Sequence, residues 1–98
     1  MPQSLVKNYI HITFSTKNRI HLIKPEVQTE LFNYLGGTCR ELECPPIQVG
    51  GTIDHVHLLV NLSRKMALMT LIEKIKSHSS GWIKSKGSGF QNFYWSRL

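Results

Sequence analysis

His55 and His57 stand on either side of one valine in GTIDHVHLLV, Gly51 to Val60. On an extended chain, side chains alternate between faces, so both imidazoles project from one side, about 7 Å apart along the strand. That spacing lets both rings lean onto one ion. Imidazole suits borderline metals, and with oxygen ligands from phosphate and water it also accepts manganese or magnesium. The plainer alternative is a pair of histidines with ordinary hydrogen bonds on a solvated sheet face. Val56, Leu58, Val60 and Leu62 form the opposite, wholly apolar face, which should meet a layer of helices.

The rest of the chain reads as the frame for that strand. Tyr9 to Ser15 alternates, with Ile10, Ile12 and Phe14 on one side and Tyr9, His11 and Thr13 on the other, the pattern of a half-buried strand. Pro25 suits the first turn of a helix, because its missing N–H has no helical partner to lose. Val27, Leu31, Tyr34, Leu35, Thr38 and Leu42 follow at helical spacing. Gly36-Gly37 inside that helix costs roughly 1 kcal/mol per residue against Ala, which points to close packing or a shorter helix. Pro45-Pro46 stops it. Ile47 to Ile53 reads as a second strand, in which Gly50-Gly51 signals a bulge or a close backbone approach. Asp54 marks the turn into the third strand, His55 to Leu62. Leu68, Leu71, Ile72, Ile75, Ser79, Trp82 and Ile83 make a second amphipathic helix with no Ser or Thr placed to cap it. Phe90 to Arg97 reads as a last strand. The order is βαββαβ, an α+β ferredoxin-like pattern with a four-stranded antiparallel sheet and two helices on one face. In that arrangement the first and third strands are neighbours, and His11 joins His55 and His57 on the open face.

Composition narrows the partners. The 98 residues carry 12 Lys and Arg against 6 acids, a formal charge of +6, and suggest a single domain over 1–98. From Ser63 onward the only acid is Glu73, against Arg64, Lys65, Lys74, Lys76, Lys84, Lys86 and Arg97. With Lys17 and Arg19 these form a basic surface suited to a polyanion, most simply nucleic acid; the bland counterpart is a solvated face that maintains solubility. The start lacks a signal-peptide pattern and no apolar run is long enough to span a membrane, so the expectation is a cytoplasmic chain. Cys39 and Cys44, without further ligands at finger spacing, read as small apolar fillers.

Several motifs together carry a family resemblance. DHVHLLV after a Gly-Gly strand resembles the HUH signature (His, bulky hydrophobic, His) of single-tyrosine transposases of the IS200-like type. HITFSTKNR, His11 to Arg19, is similar to the family's first strand. LIEKIKSHSSGWI, Leu71 to Ile83, resembles its second helix, and FYWSRL, Phe93 to Leu98, the beginning of its last conserved strand. The resemblance implies DNA transposition by a dimer with a ferredoxin-like core. The implied substrate is single-stranded DNA with a subterminal hairpin, cleaved with Mg2+ or Mn2+ through a 5′-phosphotyrosine. His55 and His57 carry over as metal ligands, and His11 as a supporting group on the same face.

The chain also departs from that pattern. In the family a later helix carries the nucleophilic tyrosine and, one turn on, a Gln or Asn that completes the metal site. Neither has a counterpart here, so the expectation is a truncated member with half a metal site, binding metal weakly and deficient in cleavage alone. Of Tyr9, Tyr34 and Tyr94, only Tyr94 is a remote candidate nucleophile. A full-length transposase is a further partner such a fragment could bind. The alternatives are a non-catalytic ferredoxin-like nucleic-acid-binding module, which would read bases by stacking them on aromatics of the open face, and an inactive remnant.

Overall fold

A computed structural model describes residues 7–96. It contains β1 (Tyr9–Ser15), α1 (Pro25–Glu41), β2 (Pro46–Gly51), β3 (His55–Asn61) and α2 (Leu68–Lys84), with short 3-10 turns at Lys17–Arg19 and Ser88–Phe90. The three strands form one antiparallel sheet in the order β1-β3-β2. The architecture is mixed α and β, with two helices against that sheet.

Alternation decides which face the helices cover. Val56, Leu58 and Val60 of β3 are fully buried, as are Ile12 and Phe14 of β1 to within a few per cent. They share one core with Val27, Leu31, Leu35 and Cys39 of α1 and Leu71, Ile72, Ile75 and Ile83 of α2. The intervening residues His55, His57, Leu59 and Asn61 are half-buried. Helix α1 begins without a side-chain cap but with Pro25 in its first turn, and Glu26 and Arg40 lie where the helix dipole favours an acid and a base. Helix α2 also starts without a side-chain cap. Both cysteines are free and fully buried, and burial, with Cys44 nearby, pushes the Cys39 thiol up to about 11.

Two details differ from the reading of the sequence. A fourth strand does not form among the described residues. Chain 94–96 instead makes a single antiparallel bridge, Thr16 with Trp95, in which Lys17 N–H donates to the Tyr94 carbonyl and Ser96 N–H to that of Ser15, both at 2.8 Å. The aromatic alternation is real, but its product is an anchor. Phe93 is fully buried, and Trp95 meets Phe14 and Phe93 edge-on, with centroids 4.7 and 4.8 Å away. Trp95 Nε1 also donates to Ser79 Oγ at 2.9 Å. Arg97, the last residue assigned to that strand, lies outside the described residues. The irregularity of β2 lies between Pro46 and Gln48, so the bulge is at Ile47 and not at the glycines. Helix α1 runs unbroken through Gly36 and Gly37.

Candidate functional site on the open sheet face

The β2–β3 hairpin turns through Thr52, Ile53 and Asp54, and its backbone is clamped from two sides. Thr52 N–H donates to the His55 carbonyl at 2.8 Å; Thr16 N–H donates to the Asp54 carbonyl at 2.8 Å and Ile23 N–H to the Ile53 carbonyl at 2.9 Å. The segment after β1 thus fixes the turn from which the first histidine emerges. That segment is itself bent by Asn18 and Arg19, both at positive φ (57° and 55°), a conformation that non-glycine residues adopt sparingly.

His55 is held by its Nδ1. Asp54 Oδ1 lies 3.0 Å from it and Thr52 Oγ1 2.9 Å from it. Thr52 Oγ1 also lies 3.2 Å from Asp54 Oδ1, to which it can donate, and Arg19 Nη2 approaches the same oxygen at 3.4 Å. The hydrogen bond from His55, with Arg19 contributing, lowers the Asp54 pKa below the usual carboxylate value against a partial desolvation that raises it. Nε2 of His55 has no protein partner among the described residues.

His57 is placed differently. It pairs across the ladder with Gly50, and its ring lies over that glycine. A Cβ at Gly50 would sit 3.1 Å from Cε1 and 3.2 Å from Nε2. His11 approaches from β1, its ring edge-on to His57 with centroids 6.0 Å apart. Gly51 serves the backbone: a Cβ there would run into the carbonyl oxygen of His55. Both glycines therefore let β2 and the imidazole-bearing end of β3 approach closely.

The structure brings His11 and His57 together and sets His55 on the same face of β3. It does not bring a tyrosine to them. Tyr9 is on the open face but pairs with Asn61, four residues along β1 from Thr13, the partner of His57, a distance of roughly 13 Å. Tyr34 stacks on Trp82 with centroids 5.0 Å apart. Tyr94 is half exposed and carries Lys84 Nζ 4.1 Å from its ring centroid. No group of three or more His, Cys, Asp or Glu side chains is arranged to hold a metal ion among the described residues; the imidazoles on this face are those of His11, His55 and His57.

The basic residues divide. Lys17, Arg19, Arg64, Lys65 and Lys74 are exposed. Lys76 is tied down: its Nζ donates to the Ser96 carbonyl at 2.7 Å and lies 5.5 Å from the Phe14 ring centroid, and burial lowers its pKa. Lys86 pairs with Glu30 at 3.4 Å and sits over Trp82. Asp54 and Thr52 are the residues that sequence reasoning missed, Asp54 having been read as a turn marker. The signal was an acid directly before the first histidine, where the strand begins.

No helix among the described residues is long and apolar enough to cross a membrane. No curated protein matches the chain. Among solved structures, a Deinococcus radiodurans R1 protein assigned as a transposase superposes with a TM-score of 0.86 at 18% identity, covering 100% of this chain and 79% of that one; at that identity the likeness speaks for the fold. The family model of IS200-like transposases matches residues 4–98, and the chain belongs to that family.

Proposed function

We propose that the open sheet face is the DNA-processing surface of this transposase, with His55 and His57 as the two protein ligands for Mg2+ or Mn2+. The sheet is read as the core of a ferredoxin-like fold, in which chain 94–96 occupies the place of the fourth strand beside β1. The observation that carries the proposal is the placement of both imidazoles on one face of β3, His55 fixed through Nδ1 and His57 lying over Gly50. Two neutral nitrogens suit a divalent ion whose other ligands are phosphate and water oxygens. Two protein ligands alone make a weak site, so affinity for the bare ion is low and rises with DNA bound. A divalent ion there supplies Lewis-acid neutralisation of the scissile phosphate. Lys17, Arg64, Lys65 and Lys74 are exposed and can meet the phosphodiester backbone, as can the part of the exposed Arg19 guanidinium not turned to Asp54, and each phosphate contact adds to a steep salt dependence of binding.

The substrate class is single-stranded DNA ending in a hairpin, held by a dimer. Because none of Tyr9, Tyr34 and Tyr94 makes a ring contact or hydrogen bond with His55 or His57 among the described residues, these residues bind DNA without cleaving it, and a nucleophile for cleavage comes from outside them. The test is one mixture of protein, labelled single-stranded hairpin and Mn2+, divided between a native gel and a denaturing gel run after boiling in detergent. Retained hairpin on the native gel, above a duplex control, with no covalent adduct on the other, is the expected result. A covalent adduct would make one of the three tyrosines nucleophilic and sink the cleavage-deficient reading. Absence of hairpin binding would sink the DNA-binding reading itself.

A further inference from the structure

Histidine in its neutral form carries its proton on one ring nitrogen or the other, and the hydrogen bond made by one nitrogen decides which remains a free donor of its lone pair. The two histidines of β3 differ in this respect. His55 Nδ1 faces a carboxylate oxygen at 3.0 Å and a hydroxyl oxygen at 2.9 Å. The carboxylate is acceptor-only when ionised, so the proton of this contact belongs to the imidazole. The Thr52 hydroxyl has its own acceptor in Asp54 Oδ1, and Arg19 neutralises part of the charge on that same oxygen. Thr52, His55 and Arg19 all reach the same carboxylate oxygen, and Thr16 N–H holds the Asp54 carbonyl beneath it. Its side chain is mostly covered, at 17% exposure, whereas Arg19 is 63% exposed. His57 makes no hydrogen bond through either nitrogen among the described residues, and only ring packing orients it.

From this geometry we propose that Asp54 is a positioning residue: with Thr52 it fixes His55 in the Nδ1–H tautomer and leaves Nε2 as a preset lone pair for a divalent cation. Asp54 touches neither the cation nor the DNA. It acts through His55, in the manner of the outer carboxylates that orient ligating histidines elsewhere. The role in ion binding rests on the function proposed above; the tautomer does not. His55 would be the prearranged ligand, and His57 the second, with neither of its nitrogens engaged in a hydrogen bond among the described residues.

The experiment uses the 98-residue chain with 15N-labelled histidine, free of metal, at a pH where imidazole is neutral. Ring 15N shifts and couplings give the tautomer of each histidine. Mn2+ titration followed by electron paramagnetic resonance gives affinity, and thermal melting checks folding. Expected for the parent is Nδ1–H at His55. In Asp54→Ala, His55 shifts toward the Nε2–H form favoured by free imidazole, and Mn2+ affinity falls about 10–100-fold. Thr52→Val, which keeps the carboxylate, retains Nδ1–H and loses less affinity; it also serves if Asp54→Ala melts too low to study. An Nε2–H His55 in the parent overturns the proposal, as does unchanged Mn2+ affinity in a folded Asp54→Ala. If the parent shows Nδ1–H at His55 yet binds no Mn2+, the tautomer assignment stands and the metal reading of the face fails.

Discussion

Two Gly-Gly pairs stand in this chain, one in the middle of α1 and one at the end of β2, and they are used in opposite ways. In the helix, Gly37 has open space where a Cβ would go, and a Cβ at Gly36 would find ordinary contacts at 3.6–3.8 Å with Arg40, Pro46 and Val49. In the strand, both positions are filled by something else: the ring of His57 over Gly50 and the backbone of His55 against Gly51. The helical pair loosens a scaffold; the strand pair makes the floor on which the histidines sit. The same dipeptide therefore marks weak propensity in one region and a steric requirement in the other.

The sharpest way to break this contrast is Gly51→Ala. The clash is with backbone that cannot rotate aside, so we expect a loss of about 3 kcal/mol, measured by urea unfolding; a loss well under 1 kcal/mol would show that the hairpin yields easily. Gly37→Ala should act in the other direction, stabilising by about 1 kcal/mol from helix propensity alone, with hairpin binding on a native gel unchanged. Gly50→Ala should cost less than about 1 kcal/mol, since only a partly exposed ring must shift, but Mn2+ affinity should fall as His57 is displaced. Unaltered affinity would separate the glycine from the site.

The smallest effect concerns acid. The folded-state pKa of Asp54 is lowered, so its contribution to stability is present above the ordinary carboxylate range and is lost as pH falls through the folded value. The stability gap between the parent and Asp54→Asn should therefore be measurable at pH 7 and narrow as the pH is taken below the ordinary carboxylate range. A gap that stays constant over that range would mean that the ionised carboxylate contributes nothing.

Period-two alternation made the site face legible. Val56, Leu58 and Val60 had to be buried together, and His55, His57 and His11 then followed onto the other side from one strand pairing. The basic surface was legible only as a set, because charge sequence does not tell an exposed lysine such as Lys74 from one seated against Phe14 and a carbonyl, as Lys76 is. Ile23, fully buried in the segment before α1, had no periodic neighbours to mark it. The last segment misled because Phe93 and Trp95 alternate as a strand does while making only one bridge; their large side chains, and not a hydrogen-bonded ladder, hold them down. Asp54 looked like turn chemistry because Asp is common in turns, and its distant partner, Arg19, comes from 35 residues earlier.

The bridge between Thr16 and Trp95 also has a meaning in time. A chain leaves the ribosome at about 5–20 residues per second, so residue 16 waits several seconds for residue 95. Until then the outer edge of β1 has no partner at Ser15 and Lys17, and Phe14 lacks the indole that covers it. The long sequence separation of this contact makes it costly to close early. The sealing of this edge of the sheet therefore cannot precede the synthesis of Trp95, whatever the rest of the chain has done by then.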